Sequence, residues 1–297
     1  MKDFISKVAV ITGAGSGMGR YLAVLLAKSG CNVVICDVNE DTLAGTAAML
    51  KNYNVAVSSH RLDVGDEAAI NALPEKVIAQ HGKVDMVFNN AGITIDSDFA
   101  NMPEPDWDKV MDVNLHGVVN MTRAFLPYLK ERPESAVVNT SSIFGMIAVP
   151  RQSVYHATKF AVRGFTESLA KEMKGTPVQV HCVHPGHIGT NILSAAKVNP
   201  SEAKEEMKGM FARADATQEE QGEAFRQNGM HASKAAEVIL NGVRKRRSRI
   251  FVGLDAKLID VAQRLTPMHY DKLLPFIFLP LVLFRNKKGL KDLPVEP

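Results

Sequence analysis

The stretch Val8-Ala-Val-Ile-Thr12-Gly13-Ala14-Gly15-Ser16-Gly17-Met18-Gly19 decides the fold. Val8 to Ile11 form an apolar run of strand character, glycines punctuate the segment from Gly13 to Gly19, and from Tyr21 to Ala27 apolar residues return at helical spacing. A strand passing through a glycine turn into a helix lets the backbone approach a pyrophosphate and aims unpaired helix N-terminal amides at it. The general G-x-G-x-x-G pattern fits in neither register, because Met18 and Arg20 stand where its third glycine belongs. The spacing is Gly13-x-x-x-Gly17-x-Gly19, and by itself it is also compatible with a glycine-rich loop that binds nothing.

Working outward, Val33-Val-Ile-Cys36 reads as a second strand and ends in Asp37. Asp37 lies 18 residues beyond Gly19, near the roughly 20 expected of the acid that accepts from a ribose 2′-hydroxyl. A carboxylate there repels a 2′-phosphate. Positions 38 and 39 carry no Arg or Lys, and the nearby cation, Arg20, is already inside the helix, so the sequence predicts NAD over NADP. The alternative for Asp37 is a cap or turn residue before Asn39-Glu-Asp41.

Further along, Tyr155-His-Ala-Thr-Lys159 places a phenol and an ammonium on one helical face. A phenol ionises near pH 10, roughly, and transfers protons poorly at neutrality unless a nearby positive charge favours the phenolate. Lys159 is expected to supply that charge, although an isolated Tyr-x-x-x-Lys also occurs in ordinary helices.

With these residues the chain resembles the short-chain dehydrogenase/reductase family in its compact single-domain form, over about residues 7 to 253. Thr12-Gly13-x-x-Ser16-Gly17-Met18-Gly19 resembles the family's cofactor loop, Asp63-Val64 its adenine contact, and Asn89-Asn90-Ala91-Gly92 the segment after its fourth strand. Asn114 matches the family's active-site Asn, and Pro185-Gly186-His187-Ile188-Gly189-Thr190 the segment that passes the nicotinamide carboxamide. Ser142 matches the catalytic Ser, being 13 residues before Tyr155, with Ser141 as its competitor. The resemblance implies that Tyr155 exchanges a proton with the substrate oxygen while hydride moves to or from the nicotinamide. It implies that Lys159 lowers the Tyr155 pKa and binds the nicotinamide ribose, that Ser142 donates to the substrate oxygen, and that Asn114 holds a water linking Lys159 to solvent. Family members commonly form dimers or tetramers through the helices carrying Asn114 and Tyr155, so a homodimer or homotetramer is expected.

The rest of the chain fits that frame. With 297 residues, 46% hydrophobic and 23% charged, it has the composition of a soluble globular protein. Beta-rich runs near 8–12, 33–37, 55–59, 84–89, 136–141, 178–183 and 249–252 alternate with helical stretches, predicting an α/β, doubly wound Rossmann fold: a seven-stranded parallel sheet with helices on both faces. No repeat or linker divides it, so residues 1–297 read as a single dinucleotide-binding domain with a substrate lid at about 190–232 and a C-terminal extension at 254–297. A net charge of +3 is too slight to argue for nucleic acid, and the cluster Arg244-Lys-Arg-Arg247 reads as a solvated helix end. Cysteines 31, 36 and 182 lie in or beside strands and read as buried reduced thiols, consistent with a cytoplasmic protein. The first strand follows Met1 within a few residues, and no signal peptide is expected. Histidines 181, 184 and 187 recur every three residues, but strand alternation sends the first two to opposite faces and no metal site is expected.

Substrate identity is less legible. The lid carries Ile192, Leu193, Met207, Met210, Phe211, Phe225 and Met230, and with Ile93, Phe144, Met146 and His187 these are expected to face a lipophilic secondary alcohol or ketone. They also fit simple packing of the lid. A carbonyl or 3-oxoacyl reductase is the alternative enzyme, and a non-catalytic dinucleotide-binding scaffold the alternative class. Beyond Gly253, Leu258, Ile259, Ala262 and Leu265 have amphipathic helical spacing, and the apolar run Leu273 to Phe284 precedes Arg285, Lys287, Lys288 and Lys291. Twelve residues with two prolines are too short for a spanning helix, which needs about 20. The run is expected either to pack across the domain or a subunit interface, or to attach peripherally to an anionic membrane.

Overall fold

The computed structural model describes residues 1–199, 217–274 and 276–277. Seven parallel strands form the central sheet: β1 (Val8–Thr12), β2 (Asn32–Asp37), β3 (Val57–Arg61), β4 (Met86–Asn89), β5 (Ser135–Thr140), β6 (Val178–Pro185) and β7 (Arg249–Val252), in the order β7-β6-β5-β4-β1-β2-β3. Alternate residues of a strand leave opposite faces, and both faces here are apolar. In β1, Ala9 and Ile11 enter one core while Val8 and Val10 enter the other.

The first core is covered by α1 (Gly17–Lys28), α2 (Glu40–Leu50) and α9 (Ala232–Arg244), through Leu22, Leu26, Leu43, Ile239 and Val243. The second lies beneath α3 (Glu67–Asn71), α4 (Leu73–His81), α6 (Gly117–Lys130) and α7 (Ser153–Glu172), through Ile70, Val77, Met121, Phe125 and Leu169. Helix α5 (Glu104–Met111) leads into α6 through one π-helical turn, Asp112–His116. The expected seven strands and both helical layers are present, with β6 running two residues past the expected Val183, to Pro185.

Among the described residues, two short parallel pairs lie outside the sheet. Ile188–Gly189 pairs with Met230–His231, just after α8 (Gln218–Asn228), and Ile95–Asp96 pairs with Lys197–Val198. Beyond β7, α10 (Leu254–Leu265) buries Ala256 and Ile259 against Ile143 and Ile147, joined by Leu274. Of the basic cluster, only part is a solvated helix end. Arg244 lies 4.6 Å from the Phe4 ring centroid, and Arg246 pairs with Glu134 at 2.7 Å.

The strand order reverses between β1 and β4, and the crevice beyond the carboxyl ends of such strands is where an open α/β sheet holds its ligand. The glycine loop, Asp37, Asp63-Val64, Asn90 to Gly92, Ser142 and Pro185 to Thr190 all lie at or beyond the carboxyl ends of strands.

Candidate active site

The loop after β1 is shaped by close backbone approach. Gly13 has φ +64°, and a Cβ there would fall 2.8 Å from Ala91 Cα in the loop after β4. A Cβ on Gly19 would fall 2.0 Å from the Gly13 carbonyl oxygen. Thr12 Oγ1 ties the two loops together by accepting from the Asn90 and Ala91 amides, each at 3.1 Å. Ser16 is the extended N-cap of α1, yet its side chain does not cap the helix and no acid sits in the first turn. The first-turn amides around Gly17, Met18 and Gly19 are thus free of a side-chain cap or carboxylate, which suits an anionic ligand. Thr190 arches over this loop, with its Cγ2 3.1 Å from where a Gly17 Cβ would be.

Asp37 Oδ2 accepts from the Gly15 amide at 2.8 Å and Oδ1 from the Asn39 amide at 3.0 Å. The cap of α2 is Asn39, which accepts from the Thr42 amide, so Asp37 is not the capping residue. Arg20 is buried and engaged, donating to Thr46 Oγ1 at 3.1 Å and to the Gly15 carbonyl. Asp63 is exposed and accepts from the Gly65 amide, while Val64 is buried with its carbonyl against Gly117. Asn90 donates to the Thr12 carbonyl at 3.2 Å, and its buried Oδ1 has no hydrogen-bond partner among the described residues. A cradle that glycine alone fits, an uncapped helix start and an orphaned amide oxygen together fit a dinucleotide.

The residues expected to transfer the proton meet beyond β4 and β5. Tyr155 and Lys159 lie one turn apart on α7 and are both buried, with Lys159 Nζ 5.5 Å from the Tyr155 ring centroid. Lys159 Nζ donates to the Thr140 carbonyl at the end of β5, at 3.1 Å. Ser142 caps a short 3₁₀ turn, Ile143–Gly145, by accepting from the Phe144 amide at 3.0 Å, and its hydroxyl lies near enough to the Tyr155 phenol to favour the phenolate. Ser141, its competitor in sequence, points elsewhere and donates to the Lys159 carbonyl at 2.7 Å. Gly145 closes this packing, since a Cβ there would lie 2.4 Å from Ser141 Oγ.

Asn114 sits in the π-helical turn and is fully buried. It exchanges two 2.9 Å hydrogen bonds with the Ile93 backbone, accepting from its amide and donating to its carbonyl. Gly92 separates Asn114 from Lys159: a Cβ there would be 3.3 Å from Asn114 Oδ1 and 3.4 Å from Lys159 Nζ. Single π turns of this kind often mark functional sites.

The electrostatics depart from the sequence expectation. Burial pushes the Tyr155 phenol up to about 12, opposed by the nearby Ser142 hydroxyl, rather than Lys159 holding it low. The same burial lowers Lys159 to about 8. Desolvation disfavours both charged forms and is the largest cause of each shift. The resulting phenol is protonated at neutral pH.

The expected substrate-facing residues divide. Phe144 stands edge-on to Tyr155 with ring centroids 6.2 Å apart, and Ile93 is half-buried beside Asn114. Met146 is buried, and His187 packs on Phe225 with ring centroids 4.2 Å apart and its Nε2 2.8 Å from the Phe225 carbonyl. Ile192 and Leu193 are half-buried, Met230 packs against the first core, and Met207, Met210 and Phe211 lie outside the described residues. His181 and His184 each bond a backbone carbonyl, of Arg247 and Ser142, and among the described residues no three His, Cys, Asp or Glu side chains converge as metal ligands.

Sequence reasoning misses His156. Its Nε2 accepts from the Val149 amide and its Nδ1 donates to the Phe144 carbonyl, both at 2.9 Å, so it braces the loop carrying Ser142 and Phe144. Its place inside the Tyr-x-x-x-Lys run is the available signal.

The sequence model of the family described as short chain dehydrogenase matches residues 7–203. The chain belongs to this family. Among its relatives, a Mycobacterium tuberculosis protein named as the oxidoreductase SadH is 42% identical over 276 residues, covering 92% of this chain and 95% of that one. The 3-oxoacyl-[acyl-carrier-protein] reductase FabG of Thermotoga maritima is 38% identical over 184 residues, 62% of this chain and 75% of that one. Among solved structures, a short-chain dehydrogenase/reductase from Burkholderia phymatum, in complex with NAD, is similar with a TM-score of 0.75 and 28% identity over the full length of both chains. This short-chain dehydrogenase/reductase is therefore an oxidoreductase by family, with a Rossmann-type fold and a site for a nicotinamide dinucleotide.

Proposed function

We propose that the protein transfers hydride between NAD(H) and a lipophilic secondary alcohol or ketone. The observation that carries this reading is the buried Ser142–Tyr155–Lys159 group, set beside the glycine cradle and faced by Phe144. The bound dinucleotide supplies the hydride chemistry, held by Gly13, Ser16, Gly17, Met18, Gly19, Asp63, Val64, Asn90, Ala91, Gly92, Pro185, Gly186, Ile188 and Thr190. Asp37 supports NAD over NADP, since its carboxylate is fixed by two backbone amides and the loop cation Arg20 is engaged elsewhere.

Tyr155 gives its proton to the carbonyl oxygen in reduction and takes it back in oxidation. Ser142 donates a hydrogen bond to the same oxygen and stabilises charge developing there. Lys159, anchored by the Thr140 carbonyl, binds the ribose and lowers the cost of the phenolate when the site is filled. Asn114, fixed by Ile93, holds the water through which the proton reaches solvent. A second reading, reduction of a ketone or a 3-oxoacyl group as the main direction, is favoured by similarity to FabG.

The buried thiols fit a cytoplasmic setting, and the family suggests a homodimer or homotetramer. The inner face of α10 packs on the domain, while Leu254, Leu258, Val261 and Leu265 are exposed on its other side. We assign that outer face to a subunit contact rather than to a membrane.

The test is a turnover screen with NAD(H) and NADP(H) against steroid, aromatic and aliphatic alcohols and ketones, a 3-oxoacyl thioester and a sugar. NAD(H)-linked turnover confined to the apolar compounds is expected. Turnover of the sugar alone would contradict the assignment, and 3-oxoacyl thioester as best substrate would favour the second reading.

A further inference from the structure

The segment Pro185 to Thr190 leaves the end of β6 and crosses toward the glycine loop, with Thr190 beside Gly17. A turn at the end of a sheet has backbone groups with no further ladder to join, and they must be satisfied by something else. Gly186 N–H is taken by the Val252 carbonyl of β7, at 2.9 Å. The next amide, His187 N–H, donates to Asp255 Oδ2 at 2.5 Å.

Asp255 belongs to the extension rather than to the core elements. It is the second residue of α10, where a carboxylate is favoured by the helix dipole, and it is only 8% exposed. Its carboxylate occupies a space left by two glycines. A Cβ on Gly186 would fall 2.3 Å from Asp255 Oδ2, and one on Gly253, which has φ +110°, would fall 2.1 Å from Oδ1. The turn is therefore seated on this carboxylate from below, while Ile188–Gly189 is paired on its other side with Met230–His231.

We propose that Asp255 is a positioning residue, holding the Pro185–Ile188 turn in the shape that receives the nicotinamide half of the dinucleotide. The inference rests on the cofactor reading above. It ties the C-terminal extension to cofactor binding, and it predicts an effect confined to one half of the ligand. The adenine half is held by Gly13 to Gly19, Asp37 and Asp63-Val64, while the Asp255 carboxylate bonds the His187 amide.

The experiment compares NADH with ADP-ribose, which lacks the nicotinamide, by titration against the full-length wild type, Asp255→Ala, Asp255→Asn and Gly186→Ala, with melting curves on each. Asp255→Ala is expected to bind NADH about tenfold more weakly, a loss of about 1.4 kcal/mol, and ADP-ribose within about twofold of wild type. Asp255→Asn keeps an acceptor oxygen and should recover most of the NADH affinity. Gly186→Ala displaces the carboxylate and should reproduce the NADH-selective loss, which keeps the idea testable if Asp255→Ala does not fold. In the double variant the two losses should not add, because the added methyl no longer meets a carboxylate. Equal weakening of both ligands, or NADH affinity unchanged in Asp255→Ala and Gly186→Ala, would overturn the proposal and leave the cofactor reading intact. A wild type that binds neither ligand would overturn the cofactor reading itself and this inference with it.

Discussion

Asp37→Ala is expected to shift cofactor choice without moving the catalytic group. In the structure the Asp37 carboxylate is held by Gly15 and Asn39 amides at 2.8 and 3.0 Å, at the end of β2. Removing it deprives an NAD ribose of a charged hydrogen-bond acceptor, worth about 1.5–3 kcal/mol, or roughly ten- to a hundredfold in kcat/KM. It also removes the repulsion felt by a 2′-phosphate, so NADP should lose less than NAD or gain outright. The Gly15 and Asn39 amides lose an acceptor with either cofactor, and that structural cost cancels in the ratio. Initial rates for NADH and NADPH oxidation with one substrate give the ratio directly. We expect the NADP-to-NAD preference to rise by about a hundredfold, as the product of a loss and a relief. A ratio unchanged within about twofold would refute the reasoning, because it would mean that the carboxylate does not face the ribose.

The same geometry sets other outcomes. Ser142→Ala should lower kcat by about a hundredfold or more through loss of the donor to the substrate oxygen, whereas Ser141→Ala should chiefly cost stability, about 1–3 kcal/mol, because it frees the buried Lys159 carbonyl; kinetics and melting on both variants check this. Lys159, lowered from 10.5 to about 8 by burial, is charged in the unfolded chain and neutral in the folded one between those pH values, so the unfolded state binds more protons and stability rises with pH through that window. Denaturation of wild type against Lys159→Met from pH 7 to 10 should show the wild type gaining relative stability, up to about 3 kcal/mol, and a flat difference would contradict the assigned burial penalty. Deleting residues 269–297 removes Tyr270, whose hydroxyl accepts from the Ala148 amide at 3.0 Å, and buried Leu274, worth about 1.5–3 kcal/mol. A lower melting temperature or smaller assembly is expected, and unchanged melting with lost binding to anionic vesicles would instead support a membrane role.

Strand residues are legible because their alternation is local: Val8, Val10, Ala9 and Ile11 announce a strand buried on both faces, and the glycine spacing announces the turn after it. The Ser142–Tyr155 separation is legible too, yet what occupies the Ser141 hydroxyl is a carbonyl 18 residues away. Such contacts carry no periodic trace. The π turn that presents Asn114 is likewise invisible, because Asp112 to His116 fit an ordinary helix by propensity. Arg246 finds Glu134 across 112 residues, so a cluster that reads as solvated is partly paired. The Tyr155 shift runs opposite to the expected sign, since one-dimensional spacing reveals the neighbouring ammonium but not how dry the site is.

Tyr155 carries the proton for hydride transfer, in the function proposed here, beside a dinucleotide it does little to bind. The direct measurement is Tyr155→Phe, with NADH affinity by titration and hydride transfer by single turnover on the best substrate. General acid–base catalysis typically contributes about a hundredfold or more, so at least that loss in rate is expected, with NADH affinity within about twofold of wild type. A variant that kept more than about a tenth of the wild-type rate, or lost NADH binding along with turnover, would contradict this role for Tyr155.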